Sequence, residues 1–159
     1  SRNINQIIIV DTLFPKNISI RKLYFSNFID GNTILMRRDC ADNIIKLLQK
    51  LQKYRYFEDI HEDPLTALLA FHICRPGYMP NSYILYRLHE RNLTGLGRVD
   101  HYRLLLSAEK SIKTYLAFSY LYGKNIRITD KLMLYISILL RLLRYAYYSL
   151  LLLLLYKIQ

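Results

Sequence analysis

Apolar side chains return every three or four residues along most of this chain, and the breaks in that rhythm mark its elements. Residues 1–18 read as an extended arm with Pro15 near its end. A first helix is predicted from Ser19 as N-cap, with Ile20, Leu23, Tyr24 and Phe28 on one side, until Asp30-Gly31 stops it. A second is predicted from about Asp39 to Tyr54, where Ala41, Ile44, Ile45, Leu48 and Leu51 make the apolar face and Lys46, Lys50 and Lys53 fall on another. Asp63-Pro64 opens a third, with Asp63 as cap and Pro64 at the first helical position, where its fixed φ and missing N–H fit. Leu65, Leu68, Leu69 and His72 follow at helical spacing up to Arg75-Pro76-Gly77.

The period then changes. Tyr83, Leu85 and Arg87 alternate with Ile84, Tyr86 and Leu88, which predicts a β-hairpin with residues 82–88 paired to 97–106 around Thr94-Gly95-Leu96-Gly97. Ser107 reads as the N-cap of a helix to about Tyr122, with Gly123 at its C-terminal stop and Lys110 and Lys113 opposite Ile112, Tyr115 and Leu116. Thr129-Asp130 opens a last apolar helix that can run to Tyr156. The expected fold class is mainly α, a helical domain with one protruding β-hairpin. It divides into the arm 1–18, a helical domain 19–140 with the hairpin at about 82–106, and an apolar C-terminal helix 141–159. Ile44, Ile45, Leu48, Leu65, Leu68, Leu69, Ile112 and Leu116 are expected to share one core.

Composition narrows the function. With 159 residues and a formal charge of +11, one domain of ordinary size is expected. The Lys and Arg excess is spread over the first two thirds of the chain, which suits a body bound to RNA or to an anionic membrane. Leu and Ile abound while Val occurs only at Val10 and Val99, Trp is absent, and there are 15 Tyr. Packing accepts Val for Ile at small cost, so the bias points to an AT-rich organellar coding sequence and thus to a mitochondrion or plastid. Cys40 and Cys74 lie far apart with no metal-binding spacing, and each is expected to be a buried free thiol. The apolar run Ile7 to Val10 is too short for a cleavable signal.

The segment Tyr83 to Arg103 interleaves Arg87, Arg91, Arg98 and Arg103 with tyrosine and histidine, the mixture of phosphate-binding forks and stacking rings that meets a nucleic acid. The expected RNA-binding residues are these four together with Arg37, Arg38, Lys46, Lys50, Lys53, Arg75, Lys110 and Lys113. No phosphate-binding loop, dinucleotide fingerprint, zinc-protease helix or nucleophile elbow is present. Glu58, Asp59, Glu62 and Asp63 surround His61 at a helix entry, where acids complement the helix dipole. A non-catalytic protein with no cofactor and no metal is expected.

The order of these elements resembles small-subunit ribosomal protein seven, the head protein that nucleates assembly of the 3′ major domain of small-subunit rRNA. Asp11 and Phe14 are similar to its opening Asp-Pro-x-Phe element, although Pro is missing after Asp11, and Asn27 to Gly31 is similar to its Asn-x-x-x-x-Asp-Gly stretch. Ala41 to Leu51 resembles its Ala-x-x-Ile helix, Ala70 to Pro76 its Ala-x-x-x-x-Arg-Pro helix end, and Ser107 to Gly123 and Ile128 to Leu140 its following helices. Asn32-Thr33 replaces the family's basic residues, and the leucine-rich stretch Arg144 to Gln159 replaces its basic tail. The resemblance implies a divergent mitochondrial version that binds small-subunit rRNA beside other ribosomal proteins. It also implies a hairpin, here Tyr83 to Arg103, reaching the exit-site tRNA and mRNA path.

The C-terminal helix supplies the rival reading, an accessory subunit of a mitochondrial inner-membrane respiratory or ATP synthase complex anchored by residues 132–156. Arg141 and Arg144 near its middle cost about 5–7 kcal/mol on the insertion scale, and its Leu and Ile residues return about 5–9. Both arginines lie on one face, which favours a soluble, buried helix with a basic edge.

Overall fold

Helix α1 (Ile20–Phe25) is only six residues long, too short to persist by its own hydrogen bonds, and the rest of the fold holds it. The computed structural model describes residues 7–8, 19–26, 34–74, 86–87 and 101–156. Ser19 Oγ accepts from the Arg21 amide at its start. At its end the carbonyls that lack a helical partner are taken from outside. Tyr115 donates to the Leu23 carbonyl at 2.5 Å, while Ser137 Oγ and Arg141 Nη1 both donate to that of Tyr24.

Helix α2 (Arg38–Leu48) turns Cys40 and Ile44 inward and gives way to two 3-10 turns, Leu51–Lys53 and Arg55–Phe57. Helix α3 (Glu62–Ile73) buries Leu65, Ala67, Leu68 and Leu69 on several sides, because α1, α2 and α4 all pack on it. A helix apolar all round belongs at the centre. The short connection 123–127 folds α5 (Ile128–Tyr156) back along α4 (His101–Tyr122), with Ala117, Phe118, Leu134 and Ile138 in the same core as Leu23, Tyr24 and Ile44. A side chain on Gly123 would collide with the Ser119 carbonyl, so the tight exit from α4 requires glycine there.

The described residues are mainly helical and contain no β-hairpin. Residues 101–106, expected as the second strand, are the first turns of α4: Leu104 to Leu106 have no strand alternation, and leucine is a strong helix former. Ser107 therefore lies inside that helix rather than capping it. The one extended pairing described joins remote segments, Ile7–Ile8 antiparallel to Tyr86–Arg87. The arm's other residues, the Asn27 to Gly31 stretch and the rest of the expected hairpin lie outside the described residues.

Three further expectations change. Cys40 and Cys74 are not free thiols but a disulfide, their Cα atoms 6.0 Å apart, joining the start of α2 to the end of α3. Ile45 is half exposed and belongs to no core. Helix α5 is continuous across the expected boundary at 140/141, and only one side of it, through Leu134, Ser137 and Ile138, is buried.

Candidate nucleic-acid interface

The side of α2 turned away from the core carries the cations. Cys40 and Ile44 face inward, which at 100° per residue leaves Arg38 and Lys46, and Lys50 just beyond the helix, on the solvent side. Lys53 follows in the first 3-10 turn. All four are exposed, and among the described residues none makes an ion pair. Asp42 lies one turn before Lys46 without pairing to it. Arg37 differs: its Nη2 meets Asp39 Oδ2 at 2.6 Å and its Nε meets Oδ1 at 3.2 Å, and this fork holds the Asp39 carboxyl below its usual range.

On α4, Lys110 binds Asp59 at 2.6 Å and Lys113 binds Glu109 at 2.6 Å. The hydrogen bond to Glu109 raises the pKa of Lys113. Lys110 ties α4 to the segment before α3 while Lys113 pairs within its own helix, and both offer less to a phosphate than the α2 row. Arg103 is exposed in the first turn of α4. Arg87 is described only through its backbone pairing with Ile7, and Arg75, Arg91 and Arg98 lie outside the described residues. The structure thus leaves Arg38, Lys46, Lys50 and Lys53 exposed along α2 and the turn after it, whereas Lys110 and Lys113 are occupied by carboxylates.

Next to that row lies a group that the sequence reading passed over. Tyr54, Tyr56 and Phe57 from the 3-10 turns meet Tyr120 from α4. The Tyr54 and Tyr120 hydroxyls are 2.7 Å apart and their rings are edge-on at 5.2 Å. Tyr56 stands edge-on to Phe57 at 5.2 Å, and Lys113 Nζ sits 5.5 Å from the Tyr56 ring centre. The hydrogen bond with Tyr54 raises the pKa of Tyr120. The signal was present in Lys50-Leu51-Gln52-Lys53-Tyr54-Arg55-Tyr56-Phe57, the same basic and aromatic mixture sought further along the chain.

No protein-family model, curated protein or solved structure matches this chain. Its surface chemistry therefore carries the functional reading.

A second surface is uncharged over most of its length. Leu132, Leu139, Leu143, Leu150 and Leu153 line the outward side of α5, each more than half exposed, over about 30 Å of helix. Arg144 is exposed on a flank about 130° around the helix from that row, drawn to Tyr148 by a hydrogen bond of 3.2 Å. Arg141, by contrast, turns inward to Ser111 Oγ at 2.8 Å. The two arginines do not form one basic edge, and the helix is not buried within the chain.

Proposed function

We propose that this chain is a structural, non-catalytic rRNA-binding component of an organellar small ribosomal subunit. The observation that carries the reading is the row Arg38, Lys46, Lys50 and Lys53, exposed and without an ion pair among the described residues. A surface adapted only to water mixes its signs, whereas cations left open suit phosphates, which fix register on folded RNA. Support also comes from the stretches compared with small-subunit ribosomal protein seven: Ala41 to Leu51 is α-helical as far as Leu48, Ala70 to Pro76 as far as Ile73 with Arg75-Pro76 outside the described residues, Ser107 to Gly123 as far as Tyr122, and Ile128 to Leu140 throughout. The partners proposed are small-subunit rRNA and neighbouring ribosomal proteins in a mitochondrion. No contact with exit-site tRNA or mRNA is carried forward, since its hairpin is absent from the described residues.

The test is filter binding of the full chain to a 3′-domain fragment of small-subunit rRNA across a salt series. Replacing Lys46, Lys50 and Lys53 with Gln should weaken binding and flatten the log–log salt dependence, by about 0.9 per lost contact on a duplex. An unchanged slope overturns the reading.

A second reading, the membrane-complex subunit, is favoured by α5, whose residues Ile128–Leu155 are long and apolar enough to cross a membrane, with mean hydropathy 1.7 and 6% buried in the most apolar window. Its packing weighs against a span. Arg141 bonds Ser111 on α4, beside Lys110 and Lys113 and their ion pairs, so hydrocarbon around α5 at that level would have to take in those charges. Carbonate extraction of organelles followed by gradient sedimentation separates the two. Co-sedimentation with small subunits is expected, and retention in the membrane pellet overturns the ribosomal reading.

A further inference from the structure

We infer that Tyr54, Tyr56, Phe57 and Tyr120 form a stacking site for unpaired RNA nucleotides, rimmed by Lys50, Lys53 and Arg55. The inference rests on the rRNA-binding reading and adds to it a ligand class, single-stranded RNA, and a place on the surface.

The exposure of the rings is the first argument. A satellite cluster that only packs a loop against a helix would bury its rings. Here Tyr54 is 43% exposed, Tyr56 54% and Tyr120 53%, and only Phe57 leans on the core. The rings are nevertheless fixed, by the Tyr54–Tyr120 hydroxyl bond and by edge-on contacts of Tyr56 and Tyr54 with Phe57. An ordered ring costs little further entropy when a flat partner settles on it.

Charge selects the occupant. Lys50, Lys53 and Arg55 are exposed and make no ion pair among the described residues, outnumbering the one equally open carboxylate next to Phe57, that of Glu58, while the nearby Asp59 carboxylate is occupied by Lys110. Rings beside open cations match bases beside phosphates. The patch also continues the α2 row through Lys46, Lys50 and Lys53, so one strand can leave a helical element on α2 and lay its unpaired bases over the tyrosines. A duplex keeps its base faces to itself; only unpaired bases offer theirs.

The test uses the full chain with two probes, an oligouridine of about 12 nucleotides and an RNA duplex of the same length. Tyr56→Ala with Tyr120→Ala should weaken oligouridine binding about 10- to 100-fold and leave duplex binding and its salt slope unchanged, while Tyr56→Phe should bind as the parent does. Lys46→Gln with Lys50→Gln and Lys53→Gln should weaken both probes. Circular dichroism melting establishes that each variant is folded. If the Ala variant binds oligouridine as the parent does while the Gln variant loses both probes, the stacking site is wrong and the RNA reading survives. Equal loss of both probes by a folded Ala variant also overturns the stacking site. If the parent chain binds neither probe nor rRNA, both ideas fall.

Discussion

The guanidinium of Arg141 lies 3.6 Å from the centre of the Tyr115 ring, between α5 and α4, while its Nη1 donates to the Tyr24 carbonyl of α1 at 2.9 Å. The charge that made the C-terminal helix look ambivalent is the joint of three helices. It satisfies a helix end that would otherwise face apolar neighbours.

Arg141→Leu should therefore cost about 2–4 kcal/mol, the sum of lost charged hydrogen bonds and the ring contact. Arg141→Lys should recover only part, since an ammonium cannot lie flat and fork. Arg144→Leu should change stability by less than about 0.5 kcal/mol. Equilibrium urea unfolding of the three variants checks the ranking.

The core assignment makes a paired prediction. Leu68 has no exposed surface and Ile45 is 49% exposed. Leu68→Ala should cost about 2–5 kcal/mol and Ile45→Ala far less. Similar losses at both sites would mean that the buried side of α2 is misassigned.

His72 gives the stability a pH dependence. Its Nε2 shares a hydrogen bond of 3.0 Å with the Tyr24 hydroxyl, and the Phe118 and Tyr122 rings lie 5.3 and 5.2 Å away. Burial lowers its pKa, against a smaller pull upward from Asp130. Burial also raises the pKa of Tyr24, whose phenol stays protonated. The unfolded chain thus binds a proton at this site more readily than the folded one. Stability should be full above about pH 6.5 and fall as pH drops from there through the lower folded value, by at most about 1.4 kcal/mol per pH unit. His72→Gln should remove that component, read as the difference between the two unfolding profiles.

The disulfide closes a loop with a sequence separation of 34, which on the chain-entropy account stabilises by about 4 kcal/mol. Adding dithiothreitol should lower the urea midpoint of the parent and leave Cys40→Ser/Cys74→Ser where it was. In a thiol-rich compartment the bond is expected open, with the two sulfurs still neighbours. A parent midpoint indifferent to reductant would mean that the bond does not form.

Local signals were legible where they acted locally. Ser19 caps α1, and Pro64 falls in the first turn of α3, although that helix starts at Glu62 and takes Asp63, the expected cap, inside it. The α2 lysines could be set opposite Ile44 from periodicity alone. What failed depended on distance. Spacing cannot pair Cys40 with Cys74, because the packing of α2 on α3 brings them together. Tyr54 and Tyr120 are 66 residues apart in sequence, so their shared patch was invisible even though half of its composition was not. The second strand at 97–106 was inferred from the turn signal before it, yet its leucines extend α4. Hydropathy scored α5 as apolar without distinguishing the side that packs from the side that does not.

That outward side of α5 governs how the molecule behaves before it has a partner. A row from Leu132 to Leu153 open to water is a contiguous apolar stripe of the kind that marks contact sites. Free copies should adhere to one another and to any oily surface at concentrations where a typical domain stays single. The apparent mass of the chain should therefore rise with its concentration, and the unfolding and binding measurements belong at dilutions that keep it single.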